Sequence, residues 1–343
     1  MRAAVMRRGA MVVDDVADPV PTHGQVLVQT IACGICGSDL HTVKHGDRMV
    51  DMSKLADTPF VMDLTRDIVL GHEFSAEVLE VGPDAGDTLA AGDVVVSMPV
   101  VFGPSGMHGV GYSNDYPGGY AERMVLSAMV ALKVPNGLDA ELAALTEPMA
   151  VGRHAVERSG IAKGAAAVVL GCGPVGLAVI ADLARRGIEP IVAADFSPAR
   201  QVLAERMGAH VVVDPRDEGA VDAWRRVDGS RSLVVFEAVG VPGMIDDAML
   251  AAPRGSRIVI VGVCMEEDSI RPMVGIGKEL DLSFVLGYTP FEFAETLRSV
   301  AEGELDVAPM ITGRVGIDGV PQAFADLANP DTHCKILVEP RLS

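Results

Sequence analysis

Apolar and polar positions alternate in short runs over the first third of the chain. Residues 25–32 (QVLVQTIA) and 74–81 (FSAEVLEV) alternate or run apolar, and Gly92-Asp93 leads into a β-branched run over 94–96. Short strands separated by Gly, Pro and Asp turns predict an all-β, barrel-like N-terminal part. From about residue 150 the period changes. Buried-type strands are predicted at 165–170, 190–194, 211–213, 233–236 and 258–261, with helices at 174–187, 198–208, 219–226 and 243–252 between them. Strands alternating with helices at this interval predict a parallel sheet covered on both faces. An amphipathic helix over 290–302 and a strand-like stretch over 335–338 close the chain. They are too short to fold alone and are expected to return to the first part.

Composition sharpens this picture. A chain of 343 residues, 49% apolar and 22% charged, has the size for two domains and the composition of an ordinary globular protein. A net charge of -19 argues against nucleic acid and anionic membrane as partners, because both need clustered Lys and Arg. A local basic spot for one phosphorylated cofactor remains compatible with it. Arg2, Arg7 and Arg8 are followed by Asp14 and Asp15 rather than by an apolar core, which argues against a signal peptide. Residues 164–181 are uncharged, yet Gly171, Gly173, Pro174 and Gly176 interrupt them, so they read as strand, turn and helix. The cysteines, Cys33, Cys36, Cys172, Cys264 and Cys334, are an odd, scattered set. Reduced thiols and a cytoplasmic location fit them better than a disulfide framework.

Gly171-Cys-Gly-Pro-Val-Gly176 fits G-x-G-x-x-G between a predicted strand and a predicted helix. The first glycine permits the turn, the second lets backbone approach a pyrophosphate, and the third lets helix and strand pack closely. The phosphate would sit at the helix N-terminus. Asp195 lies at the end of the next strand, where a carboxylate can bond both ribose hydroxyls and repel a 2′-phosphate, selecting NAD over NADP. The alternative is a strand-end Asp that caps the helix starting near Ser197. Arg200 leaves some tolerance for NADP.

Cys33-Gly-Ile-Cys36 alone could be a redox pair, half of a zinc knuckle or two core thiols. His72 in Gly71-His-Glu73 and Glu147 in Glu147-Pro148 add an imidazole and a carboxylate. Zinc takes all three donor types, and a catalytic site keeps one position open. One thiolate and one carboxylate leave a Zn2+ site near neutral, so the metal stays acidic.

The runs Ala32-Cys-Gly-Ile-Cys-Gly-Ser-Asp-Leu-His41, Gly71-His-Glu73, Gly92-Asp-Val-Val95, Gly118-Gly-Tyr-Ala-Glu122, Glu147-Pro148, the glycine turn and Lys335-Ile-Leu-Val338 together resemble the zinc-dependent medium-chain dehydrogenase/reductase family, over essentially the whole chain. Within the family the sequence looks most like the polyol, butanediol and threonine dehydrogenase branch. The resemblance implies a GroES-like β-barrel catalytic domain at 1–148, a Rossmann domain with a doubly wound parallel sheet at 149–285, and a return to the catalytic domain at 286–343. It implies that Cys36, His72 and Glu147 hold one catalytic zinc while Cys33 does not. Glu73 is the acidic neighbour that can approach the metal during exchange, and Asp39 orients His72. Ser38 takes the alcohol proton and His41 ends a relay running through the cofactor ribose; a surface loop is the alternative for His41. Hydride passes to nicotinamide C4. Pro174, Val175, Val239, Val261, Val263 and Lys335 join the glycines, Asp195 and Arg200 as cofactor contacts. His23, His45, His108, His154, His210 and His333 match no role. A homodimer joined near 283–286, or a tetramer, is implied.

The chain departs from the pattern in three places. Residues 97–120 lack the cysteines that hold a structural zinc in many relatives, so that metal is expected to be absent. The stretch between Cys36 and His72 is long, with an apparent insertion around 49–65; Met49, Met52, Phe60 and Met62 there suggest a hydrophobic lip at the entrance, or ordinary loop packing. Leu286-Gly287-Tyr288 lacks the arginine of polyol enzymes, while Phe102, Tyr116, Met149 and Tyr288 suggest an apolar pocket. A secondary alcohol, cyclic or a small vicinal diol, fits better than a sugar alcohol. Two rivals stand beside this reading: a zinc-free quinone or enone reductase of the same superfamily, and a nucleotide-binding protein without catalysis.

Overall fold

The protein is described by a computed structural model over residues 1–58 and 62–342. Its second half holds a six-stranded sheet, parallel throughout, in the spatial order Val211–Val213, Ile191–Ala194, Ala166–Leu170, Leu233–Glu237, Arg257–Ile260, Asp281–Phe284. Successive residues of a strand face opposite sides, so Ala167 and Val169 enter one core with Leu177 and Ile180, while Ala166 and Val168 enter another with Trp224 and Met249. The strand order reverses between Ala166–Leu170 and Leu233–Glu237. Such a sheet opens a crevice at the carboxyl ends of its strands there.

The first half is built on a sheet in the order Ile311–Val315, Lys335–Val338, Gln25–Gly34, Glu73–Val81, Val94–Ser97, Ala131–Lys133, with Arg123–Ser127 also paired to Gln25–Gly34. Its core gathers Val26, Val28, Ile68, Leu70, Phe74, Val78, Tyr120 and Leu126. The chain end does return to this sheet, where Leu337 pairs with Gly34. The helix Pro290–Ala301 docks on Thr146–Ser159, with His154 Nδ1 2.9 Å from Glu292. A GroES-like barrel joined to a Rossmann sheet is therefore the observed architecture, as the sequence led us to expect.

One element differs from the all-β expectation. Residues Gly37–Leu55 form a helix, kinked at His45, whose buried members are Asp39, Thr42 and Ser53. Its fully buried members are polar, while Leu40, Val43, Met49 and Val50 pack only partly buried against the barrel core and are split by the kink, so the apolar stripe is weak in the sequence. In the insertion, Met49 and Met62 pack against the barrel core and Met52 is exposed, so the first two serve packing rather than a lip; Phe60 lies outside the described residues. No described helix is long and apolar enough to cross a membrane.

Candidate active site

Strand register assembles the chemistry. Gln25–Gly34 and Glu73–Val81 run antiparallel with Gly34 opposite Glu73. Cys36, two residues past the end of one strand, and His72, one residue before the start of the other, are thus brought to the same end of the sheet. Ligand atoms of Cys36, His72 and Glu73 lie within 4.8 Å of one another. Asp39, fully buried on the first turn of the Gly37–Leu55 helix, places Oδ1 3.3 Å from His72 Nδ1. Its Oδ2 accepts from Tyr120 at 2.6 Å and from the Cys36 N–H at 3.1 Å. Burial alone would raise the Asp39 pKa, but His72 and Tyr120 outweigh it and lower it. Cys33 is fully buried, and burial keeps its thiol protonated.

Lys335 adds a buried cation. Its Nζ donates to both Glu73 oxygens, at 2.6 and 2.7 Å, and to the Ile35 carbonyl at 3.0 Å. Burial opposes the charged amine, yet Glu73 outweighs it and raises the pKa. Lys335, expected among the cofactor contacts, is here occupied by Glu73. Glu147 opens the Thr146–Ser159 helix, buried, outside the 4.8 Å set but within the field of His72, Glu73 and Lys335. Burial pushes its carboxyl up to about 7. It forms no ion pair among the described residues. The Tyr288 hydroxyl lies beside it, buried and short of hydrogen-bond geometry.

The donor set fits zinc on this structure's own terms. Thiol, imidazole and carboxylate converge, Asp39 engages the Nδ1 side of the His72 ring, and Glu147 is a buried carboxylate nearby with no ion pair among the described residues. Ser38 stands beside them on the same helix turn, and its Oγ accepts from the Tyr112 hydroxyl at 2.8 Å. His41, half-buried one turn on, has its pKa lowered by burial and by His45 and Lys44, which favours the neutral base.

The nucleotide turn lies at the crevice. Gly171 has φ +90°, and a Cβ on Gly176 would collide with the Gly171 carbonyl oxygen. Asp195 bridges the turn: its Oδ2 accepts from the Cys172 N–H at 2.7 Å and its Oδ1 from the Ser197 N–H at 2.8 Å. Ser197 itself is the helix cap, its hydroxyl accepting from the Arg200 N–H. Arg200 reaches over Gly173, with Nε buried and unpartnered. Val239 and Val263 are half-exposed at the ends of the neighbouring strands, and Val261 is buried. Pro174 and Val175 begin the helix Pro174–Arg185. Backbone N–H groups, an anchored carboxylate and a spare guanidinium suit a dinucleotide.

The description "alcohol dehydrogenase GroES-like domain" matches residues 22–136, and "zinc-binding dehydrogenase" matches residues 174–302. The (R,R)-butanediol dehydrogenase of Bacillus subtilis (strain 168) is 32% identical over 96% of each chain. The chain belongs to the zinc-dependent medium-chain dehydrogenase/reductase family. The crystal structure of 2R,3R-butanediol dehydrogenase from Bacillus subtilis superposes with a TM-score of 0.85, at 30% identity and 99% coverage of both chains. A zinc-binding dehydrogenase from Sinorhizobium meliloti 1021, solved with NADP, gives 0.83 at 27% identity and 99% coverage of both. Membership makes the chain an oxidoreductase acting on CH–OH groups, within the polyol and butanediol branch.

Within this medium-chain dehydrogenase some expected pocket residues stand elsewhere. Phe102 lines an outer groove with His23, Asp84 and Met129, and the Tyr116 ring lies tilted against His108, with centroids 5.0 Å apart. Both belong to the segment 97–120, whose hairpin Val100–Gly103 with Gly106–Gly109 bonds through Phe102 to Gln25 and Ser127, at the end of the strand Gln25–Gly34 away from Cys36. Met149 is buried in the nucleotide-side core, leaving Tyr288 as the one beside Glu147. Sequence reasoning missed Tyr112, the Lys335–Glu73 pair and Glu237, whose buried Oε1 accepts from the N–H groups of Val239 and Gly240. A charged residue closing a buried strand was the available signal for Glu237.

Proposed function

We propose that this dehydrogenase oxidises a secondary alcohol, with small vicinal diols in its range, to the ketone, reversibly and with NAD. The convergence of Cys36, His72 and Glu73, with Ser38 on the adjoining turn and buried Glu147 nearby, carries the reading. Cys36, His72 and Glu147 hold the metal. Glu73, already neutralised by Lys335, is the neighbouring carboxylate. Zinc bound there supplies Lewis acidity that lowers the substrate hydroxyl pKa, and NAD supplies the hydride acceptor. Ser38 accepts the substrate proton, and His41, kept neutral by its half-buried setting, passes it outward. Asp39 holds the His72 ring. Tyr288 offers its spare hydroxyl next to Glu147, where a second substrate hydroxyl would find a partner.

Asp195 supports NAD, because its carboxylate stands where a 2′-phosphate would arrive. Arg200, and the relative solved with NADP, favour a secondary NADP activity. Five free cysteines support a reducing, cytoplasmic setting. The outer strand Asp281–Phe284 supports a homodimer: Phe284, Leu286, Met273 and Ile276 expose apolar side chains around an unpaired edge. Division of the chain at 148 and 285 belongs to the same reading.

The test is a cofactor-reduction screen over primary, secondary, cyclic and polyhydric alcohols with NAD and NADP. We expect greatest kcat/KM for a vicinal diol or simple secondary alcohol with NAD, loss on chelation and recovery with zinc. Activity that survives complete removal of metal would favour the zinc-free reductase instead.

A further inference from the structure

Tyr112 is a side chain at the site that the proposed chemistry does not use. It is buried, with 6% of its surface exposed. Its hydroxyl donates to Ser38 Oγ at 2.8 Å and lies 3.3 Å from Asp39 Oδ1, and its ring tilts over the His72 imidazole with centroids 5.2 Å apart. A single phenol therefore touches the hydroxyl, the carboxylate and the imidazole of the site. We propose that Tyr112 is a positioning residue for proton transfer, acting through the Ser38 hydroxyl.

The assignment follows from the hydrogen-bond capacity of Ser38. A serine hydroxyl has one hydrogen and two lone pairs. A relay needs one lone pair to receive the incoming proton and the hydrogen to send one onward. Tyr112 occupies the remaining lone pair, so the Ser38 rotor is left with the two directions that transfer requires. Asp39 does not depend on Tyr112 for its own anchoring, because Tyr120 and the Cys36 N–H hold its other oxygen. Tyr112→Phe should therefore remove the bond to Ser38 while keeping the ring against His72.

This inference rests on the proposed role of Ser38, so the experiment separates the two. Wild type, Tyr112→Phe, Ser38→Ala and the double variant are compared as zinc-loaded enzymes with the best alcohol from the screen. Turnover, the transient release of protons read with an indicator dye, NADH affinity, melting temperature and the affinity of the metal-free protein for zinc are measured. Expected for Tyr112→Phe is a fall of roughly tenfold in kcat and an equal slowing of proton release, a fraction of a full general-base contribution. NADH affinity, melting and zinc affinity stay unchanged. In the Ser38→Ala background the same substitution has no further effect on turnover or proton release, since the hydroxyl it positions is gone. An active wild type with Tyr112→Phe indistinguishable from it overturns the assignment, as does a loss of equal size in the Ser38→Ala background. Weakened zinc affinity would overturn it as well, by showing that the ring acts on His72. A wild type with no zinc-dependent alcohol oxidation overturns the functional reading, and this inference with it.

Discussion

The proposed nucleotide turn and the proposed metal centre are built on opposite plans. The turn is local: parallel pairing of Leu170 with Ala194 sets the ends of two strands side by side, and Asp195 meets Cys172 directly beyond them. It consists mostly of backbone N–H groups and open space. The proposed metal centre draws Cys36, His72, Glu147 and the nearby Lys335 from across the chain, through antiparallel pairing of Gly34 with Glu73 and of Leu337 with Gly34. It buries charges that must be paired or metal-bound to be tolerated. A site made of space fails through added atoms, whereas a site made of buried charge fails through removed ones.

The largest effect should come from removing a donor. Cys36→Ser is expected to lower zinc content from about one per chain to near zero and kcat by about a thousandfold or more, equivalent to several kcal/mol of lost Lewis-acid stabilisation. NADH binding, followed by fluorescence titration, should be retained, because the glycine turn lies on the other sheet. Loss of both together would show that the two regions are not independent.

Next comes the buried pair. Glu73→Gln strands the Lys335 ammonium, whose environment has no exposed surface. Unfolding stability measured by denaturant titration should drop by about 3–5 kcal/mol. Replacing both residues with Met should recover most of it, since an apolar pair leaves no orphan charge. If the double variant is as unstable as the single one, packing rather than charge governs this spot.

The same contrast explains what the sequence made legible. The glycine turn, Asp195 and nearly every strand of the parallel sheet could be read ahead of the structure, because their signals lie within a few residues of one another. Cys36 and His72 could be named from motifs, but nothing local says that Lys335 is spent on Glu73, or that Tyr112 reaches Ser38. Such contacts depend on strand register and loop path. The helix Gly37–Leu55 escaped because its most deeply buried positions are Asp39, Thr42 and Ser53, which dilute the stripe of Leu40, Val43, Met49 and Val50 at the place where the site needs polar groups. Phe102 was placed in the pocket for its apolarity alone, and its hairpin sits by Gln25 and Ser127, at the end of the barrel strand away from Cys36.

A gentler substitution sharpens the comparison from the nucleotide side. A Cβ on Gly173 meets no protein atom nearer than Arg200 Nη1, at 3.9 Å. Gly173→Ala should therefore leave melting temperature and zinc content unchanged. The added methyl would stand where the backbone must approach pyrophosphate, so NADH affinity should weaken by about tenfold, or ~1.4 kcal/mol. Unchanged affinity would mean that the cofactor phosphates do not rest on this turn.

The smallest expected effect tests whether the regions are tied together at the surface. Arg48, beyond the kink of the Gly37–Leu55 helix, reaches Glu266 on the nucleotide side at 3.3 Å, with about half of each side chain exposed. An exposed pair at this distance contributes little, because water and salt screen it and both side chains lose freedom to form it. Arg48→Ala should change stability by less than about 0.5 kcal/mol. Its sharper readout is the KM for NAD at low and high salt: if the pair holds the crevice edges together, the difference between variant and wild type should shrink as salt rises. A salt-independent change in KM would instead assign Arg48 a direct contact with the cofactor, making the helix beside the metal centre part of the nucleotide site.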